Sequence, residues 1–85
     1  PKNVDAYINL GAIYEKLGDL PRAEIVLKKA IKLVPNHSRA YHNLAVVYEK
    51  GGFLPVAVDY YQKAIDLGYD REKELKKRIV ELKGF

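Results

Sequence analysis

Two histidines and a serine lie close together in the sequence and are the first candidates for chemistry. His37 and His42 are five positions apart, a spacing that does not place two side chains on one face of a helix. A helical zinc pair needs the i, i+4 spacing, and no third ligand is apparent, so neither a metal nor a cofactor is predicted. Ser38 is the only serine and stands at a predicted helix start, where its expected role is to cap the helix.

The other polar residues fit no reaction either, and we therefore predict that the chain is not an enzyme. Carboxylates such as Asp5, Glu15 and Glu49 fall at helix-surface positions and do not form the pairs that acid–base catalysis uses. None of the six glycines belongs to a phosphate-binding G-x-x-x-x-G-K-[ST] loop. The basic residues of segment 73–78 alternate with glutamates, which predicts a solvated helix face.

The composition limits the classes of protein to consider. The 85 residues suffice for one small domain, and their net charge of +4 biases encounters toward acidic partners without indicating a nucleic-acid binder. No apolar run approaches the ~18 residues of a membrane span. Because cysteine is absent, disulfides are excluded. The compartment stays unknown, although this absence fits a cytoplasmic location better than secretion.

An internal repeat is the strongest signal in the chain. Residues 1–34 laid on residues 35–68 are identical at 16 of 34 positions. Each copy predicts two helices, because apolar residues recur with the helical period and glycines interrupt the pattern at Gly18 and at Gly52. Repeats of this length are typical of solenoids, in which each unit buries its apolar face on its neighbour.

The repeated positions resemble those of the tetratricopeptide repeat. They comprise an aromatic residue, a leucine, a small residue, a second tyrosine, an alanine, a large apolar residue, a second alanine and a closing proline. In the first copy these are Tyr7, Leu10, Gly11, Tyr14, Ala23, Leu27, Ala30 and Pro35. The resemblance covers residues 4 to about 69 and implies an all-α fold, a right-handed α-solenoid of antiparallel helical hairpins with about five helices.

Residues 70–84 complete this predicted architecture as a single capping helix. Leu75, Ile79 and Leu82 form its apolar stripe, and a shift of 34 residues makes it the first helix of a third unit. We therefore predict one domain over 1–85, with repeat 1 at about 4–37, repeat 2 at about 38–69 and the capping helix at about 70–84. The first three residues align with the link between the units, so we expect the chain to be a piece of a longer protein.

The resemblance also implies a binding surface, since the first helices of successive units line a concave groove in this family. The predicted groove residues vary between the copies or lie on the free face of these helices. They are Ile8, Asn9, Ala12, Arg39, His42, Asn43, Val46, Lys73, Lys76, Lys77 and Val80. Across the full groove face seven cations oppose three anions, which predicts a partner peptide of acidic or amphipathic character.

We accordingly predict a non-catalytic protein–protein interaction module, with a scaffold or adaptor role. Two alternatives stay open at this point. The first hairpin could associate with another copy and build a homo-oligomer, or the basic capping helix could bind anionic surfaces.

Overall fold

The computed structural model describes residues 3–84, and within them the secondary structure consists of five α-helices. The expected linker residues Pro1 and Lys2 lie outside the described residues. The helices are α1 (Val4–Lys16), α2 (Leu20–Leu33), α3 (Ser38–Lys50), α4 (Leu54–Asp66) and α5 (Glu72–Lys83).

Short turns join the helices of each hairpin. Gly18 and Gly52 adopt φ values of 81° and 86°, which an L side chain rarely tolerates. The Asp19 carboxylate accepts a hydrogen bond from the Arg22 backbone N–H at 3.3 Å and so caps α2. The capping role predicted for Ser38 is wrong: His37 occupies the N-cap position of α3, and its side chain makes no capping bond.

The helices within a hairpin approach closely where small residues face large ones. A Cβ atom added to Gly11 would lie 2.5 Å from Cγ of Leu27, so a larger residue there would force Leu27 or the helix pair to shift. In the second hairpin Ala45 and Ala57 are fully buried. The prediction of an all-α solenoid built from helical hairpins is therefore confirmed.

The two hairpins stack through one face of α3. Ala40, Leu44 and Val47 of that face are at most 4% exposed and pack on the first hairpin. Leu10, the repeat counterpart of Leu44, is 37% exposed because the described chain has no unit before α1 to cover it. Equivalent positions of the repeat thus differ in burial according to their neighbours.

Helix α5 packs on the hairpin before it, as α3 does, but it uses a different face of the helix from the one with which α3 packs on the first hairpin. Its buried residues are Leu75, Ile79 and Leu82, whereas the repeat counterparts of the docking residues of α3 are Glu74, Arg78 and Glu81. One residue corresponds to about 100° around a helix, so α5 is rotated by roughly that angle relative to a third repeat. The rotation follows from the sequence, because the counterpart face carries only charged residues.

Candidate functional site

Helices α1 and α3 share one polar surface, which we call the α1–α3 face. It consists of Asp5, Asn9, Ala12, Glu15 and Lys16 on α1 and of Arg39, Asn43, Val46, Glu49 and Lys50 on α3, two stripes with the same helical spacing. The Arg39 guanidinium lies 3.4 Å from the Asp5 carboxylate at one end, and Lys50 pairs with Glu15 at the other. The two stripes are therefore held side by side.

The structure corrects one predicted groove residue on α1. Ile8 is only 1% exposed and packs with Ala30 and Ala40 in the interface between the two hairpins. Its prediction as a ligand-contacting residue is wrong, because α3 lies against the helix face that carries it. The predicted residues Asn9 and Ala12 stay accessible on α1.

A depression of about 650 Å³ lies beside the first turns of α3. It contains three predicted groove residues, Arg39, His42 and Asn43, and it extends to the connection between α4 and α5. Its full lining is Asp5, His37, Ser38, Arg39, His42, Asn43, Gly68, Tyr69, Asp70 and Arg71. His37, Ser38 and His42 thus all line the same depression.

The His42 ring forms the wall of this depression together with Tyr69. The two rings stack with centroids 4.7 Å apart and planes inclined by 15°. His42 Nδ1 lies 3.0 Å from Oδ1 of Asn43, a hydrogen bond when Nδ1 carries the proton. This bond orients the Asn43 amide, whose nitrogen makes no hydrogen bond to any residue between 3 and 84, so it can donate to a ligand.

Tyr69 and Arg71 are lining residues that sequence reasoning missed. Tyr69 occupies the position of the closing proline in the repeat, where the first copy has Pro35. That departure from the repeat was the available signal, since an aromatic residue in place of proline can cover its neighbour. The role of Arg71 had no comparable signal, because it depends on how the connection before α5 folds.

The rotation of α5 removes its predicted groove residues from the α1–α3 face. Arg78 of α5 reaches α3, with its Nε 3.2 Å from the Glu49 carboxylate. Val80 follows two positions later, about 200° further around the helix, and is 70% exposed on the opposite side. The predicted residues Lys73, Lys76 and Lys77 lie toward the side of Val80 and are exposed to solvent.

This correction changes the charge balance of the surface. The predicted excess of cations depended on four lysines of α5, at positions 73, 76, 77 and 83. Without them, the cations Lys16, Arg39 and Lys50 oppose the anions Asp5, Glu15 and Glu49. The charge count therefore no longer favours an acidic partner for this face.

Comparison with known protein families agrees with this helical-hairpin architecture. The model of one family, described as Tetratricopeptide repeat, matches residues 3–70. The chain belongs to the tetratricopeptide repeat family. A search among curated proteins found no significant match.

Membership in the tetratricopeptide repeat family indicates a protein–protein interaction or scaffold module, and repeats of this family are generally non-catalytic. Within residues 3–84, no group of three or more His, Cys, Asp or Glu side chains is placed to hold a metal ion. In the same part of the chain, no helix combines the length and the apolar character that crossing a membrane requires.

Burial of His42 in this tetratricopeptide repeat domain predicts a pH-dependent stability. Desolvation lowers the pKa of His42 below its usual 6.5, the Arg71 charge lowers it further, and Asn43 and Glu74 oppose the shift. The unfolded chain therefore binds a proton at His42 before the folded chain does, and stability falls as the pH drops below 6.5.

Urea unfolding between about pH 8 and about pH 5 measures this effect. The midpoint should decrease toward acid pH in the native sequence, and His42→Gln should flatten that decrease. An unchanged slope in His42→Gln would assign the pH dependence to other groups.

Proposed function

We propose that the chain is a non-catalytic interaction module that binds an amphipathic peptide segment of a partner protein along the α1–α3 face. The observation that carries this proposal is the arrangement of two half-buried apolar side chains, Ala12 and Val46, next to two amides, Asn9 and Asn43. Val46 also packs against the apolar cluster of α4 and α5, so only part of its side chain is available to a ligand. Apolar contacts would supply affinity, and the amides would hydrogen-bond the peptide backbone. The balanced charge of the face favours an amphipathic segment over a strongly acidic one.

The absence of catalysis is part of the proposal and is supported by the depression beside α3. Ser38 lies there with both histidines, yet no hydrogen bond joins it to either of them within the described range 3–84. Asp5 lies 3.9 Å from Nε2 of His37, but it also pairs with Arg39. The described residues of this depression therefore do not form the hydrogen-bonded pair of nucleophile and base that covalent catalysis by Ser38 would need.

The lysine-rich outer side of α5 is a weaker candidate for the binding surface. Its lysines are bordered by Glu72 on one side and by Glu74 and Glu81 on the other. A broad polyanion such as a membrane surface would meet these carboxylates together with the lysines. We therefore assign the function to the α1–α3 face.

Peptide selection from a displayed library, followed by fluorescence polarisation with a selected peptide, tests the proposal. The double variant Asn43→Ala, Val46→Glu should weaken binding by about tenfold or more, because it removes an amide donor and adds a charge to the apolar strip.

A matched variant on the other surface provides the control. Lys76→Ala with Val80→Glu likewise truncates one polar side chain and adds one carboxylate, on the outer side of α5, and should leave the affinity unchanged. Circular dichroism would verify that both double variants remain helical. Equal loss in the two variants, or loss only in the α5 variant, would contradict the assignment.

A further inference from the structure

We propose that Tyr69 is a positioning residue for peptide binding: it fixes the His42 ring, which holds the Asn43 amide with its nitrogen free to donate to a peptide carbonyl. The inference rests on the proposed function, because it concerns the same α1–α3 face. It makes the two amides of that face unequal, with Asn43 as the stronger contact and Asn9 as the weaker one.

The end of α4 places Tyr69 at a defined position. Gly68 has a φ of 89°, and its backbone N–H donates to the Ile65 carbonyl at 2.9 Å. The Tyr69 backbone N–H donates to the Ala64 carbonyl at 3.0 Å. These two bonds form a Schellman motif, with Tyr69 as the second residue after the C-cap. Pro35, the repeat counterpart of Tyr69, has no backbone N–H and cannot form the second bond.

Two tyrosine rings lie against the His42 ring. Tyr69 stacks on it with centroids 4.7 Å apart, and Tyr61 of α4 lies at 5.9 Å with planes inclined by 56°. Tyr61 is itself fixed, because its ring is 3% exposed and its hydroxyl donates to the Glu49 carboxylate. The His42 ring is therefore held both from α4 and from the connection between α4 and α5.

The held ring decides which atom of Asn43 is free. His42 Nδ1 lies 3.0 Å from Asn43 Oδ1, so a proton on Nδ1 engages the oxygen and leaves the amide nitrogen with both of its hydrogens. A donor that is ordered before the ligand arrives loses less entropy on binding than a mobile one. The group that it recognises must be a hydrogen-bond acceptor, such as a backbone carbonyl.

The first copy of the repeat provides a matched position without this support. Asn9 is the counterpart of Asn43, and Ile8, the counterpart of His42, has no side-chain donor. Asn9 is exposed, and within residues 3–84 its side chain makes no hydrogen bond. Asn43→Ala should therefore weaken peptide binding about fivefold, as the loss of one hydrogen bond does, and Asn9→Ala less than about twofold.

Fluorescence polarisation with a library-selected peptide tests the role of Tyr69. Tyr69→Leu should weaken binding about threefold, and Tyr69→Phe should leave it unchanged because phenylalanine keeps the stacked ring. Tyr69→Leu should cause no further loss in Asn43→Ala, but the same loss as in the native chain when combined with Asn9→Ala. A direct contact between Tyr69 and the peptide would instead give equal losses in both combinations. Circular dichroism would verify that the variants remain helical.

NMR of the histidine ring nitrogens in the ligand-free domain tests the positioning without any peptide. At about pH 8 the His42 ring is neutral, because desolvation lowers its pKa below the usual 6.5. Nδ1 should then carry the proton in the native chain and in Tyr69→Phe, whereas Tyr69→Leu should give a mixture of the two tautomers. The spectrum of His42→Gln assigns the signals.

The outcomes separate this inference from the proposed function. A native His42 protonated at Nε2, an unchanged tautomer in Tyr69→Leu, or equal losses in the two asparagine backgrounds would overturn the role of Tyr69 and leave peptide binding in place. A native chain that selects no peptide would contradict the proposed function, and the tautomers would still decide whether Tyr69 positions Asn43.

Discussion

Leu44→Ala should lower the free energy of unfolding by about 3–5 kcal/mol, whereas Leu10→Ala should lower it by about 1 kcal/mol or less. The two leucines occupy the same position of the repeat. Leu44 is fully buried between the hairpins, so its truncation removes apolar contacts and leaves a cavity. Leu10 is 37% exposed, and water replaces part of what its truncation removes.

Urea unfolding monitored by circular dichroism measures both values. Equal losses in the two variants would mean that stability follows the position in the repeat rather than burial. A loss in Leu44→Ala near that of Leu10→Ala would show that the interface between the hairpins contributes little.

Tyr61→Ala should cost about 3–5 kcal/mol of unfolding free energy, and Tyr61→Phe only about 1 kcal/mol. The ring is 3% exposed and packs in the apolar cluster that joins α4 to α5. The hydroxyl donates a hydrogen bond to the Glu49 carboxylate at 2.7 Å, and burial together with this bond raises the pKa of Tyr61. Phenylalanine keeps the packing and loses only the bond, while Arg78 continues to hold Glu49.

Chemical denaturation of the two variants separates these contributions. If Tyr61→Phe loses as much as Tyr61→Ala, the hydrogen bond rather than the packing of the ring stabilises the junction of α3, α4 and α5. Arg78→Ala tests the remaining member of this group and should cost little, because the Arg78 side chain is 46% exposed.

The positions that differ between the two copies of the repeat show which part of the site the sequence could not predict. Ile8 and His42 differ between copies, and that difference predicted contact with a ligand. In the structure each residue instead fits its own neighbour: Ile8 packs on Ala30 and Ala40, and His42 stacks on Tyr69. Variation between copies therefore marked a change of surroundings at this position, and only His42 stays accessible in the candidate site.

In helix α5 the sequence contained the correct signal, its apolar stripe, but the prediction assigned the helix faces from the 34-residue repeat alignment instead. Shifting the repeat by 34 residues placed the lysines of α5 in the groove. The apolar stripe at Leu75, Ile79 and Leu82 lies one position away from the docking stripe expected by that shift. Because burial of apolar side chains outweighs repeat register, the helix rotates, and Arg78 rather than lysines 73 and 76 comes to face α3.

The sequence by itself determined the five helices, their turns at Gly18 and Gly52, and the close approach of α1 to α2 at Gly11. These features depend on local geometry and on a period repeated within 34 residues, so they can be read along the chain. Only the tertiary structure decided how the two hairpins dock on each other, and with it the burial of Ile8 and the exposure of Leu10. The physical reason is that rotation of a helix about its axis depends on the total apolar area buried with its neighbours, a quantity that no local pattern contains.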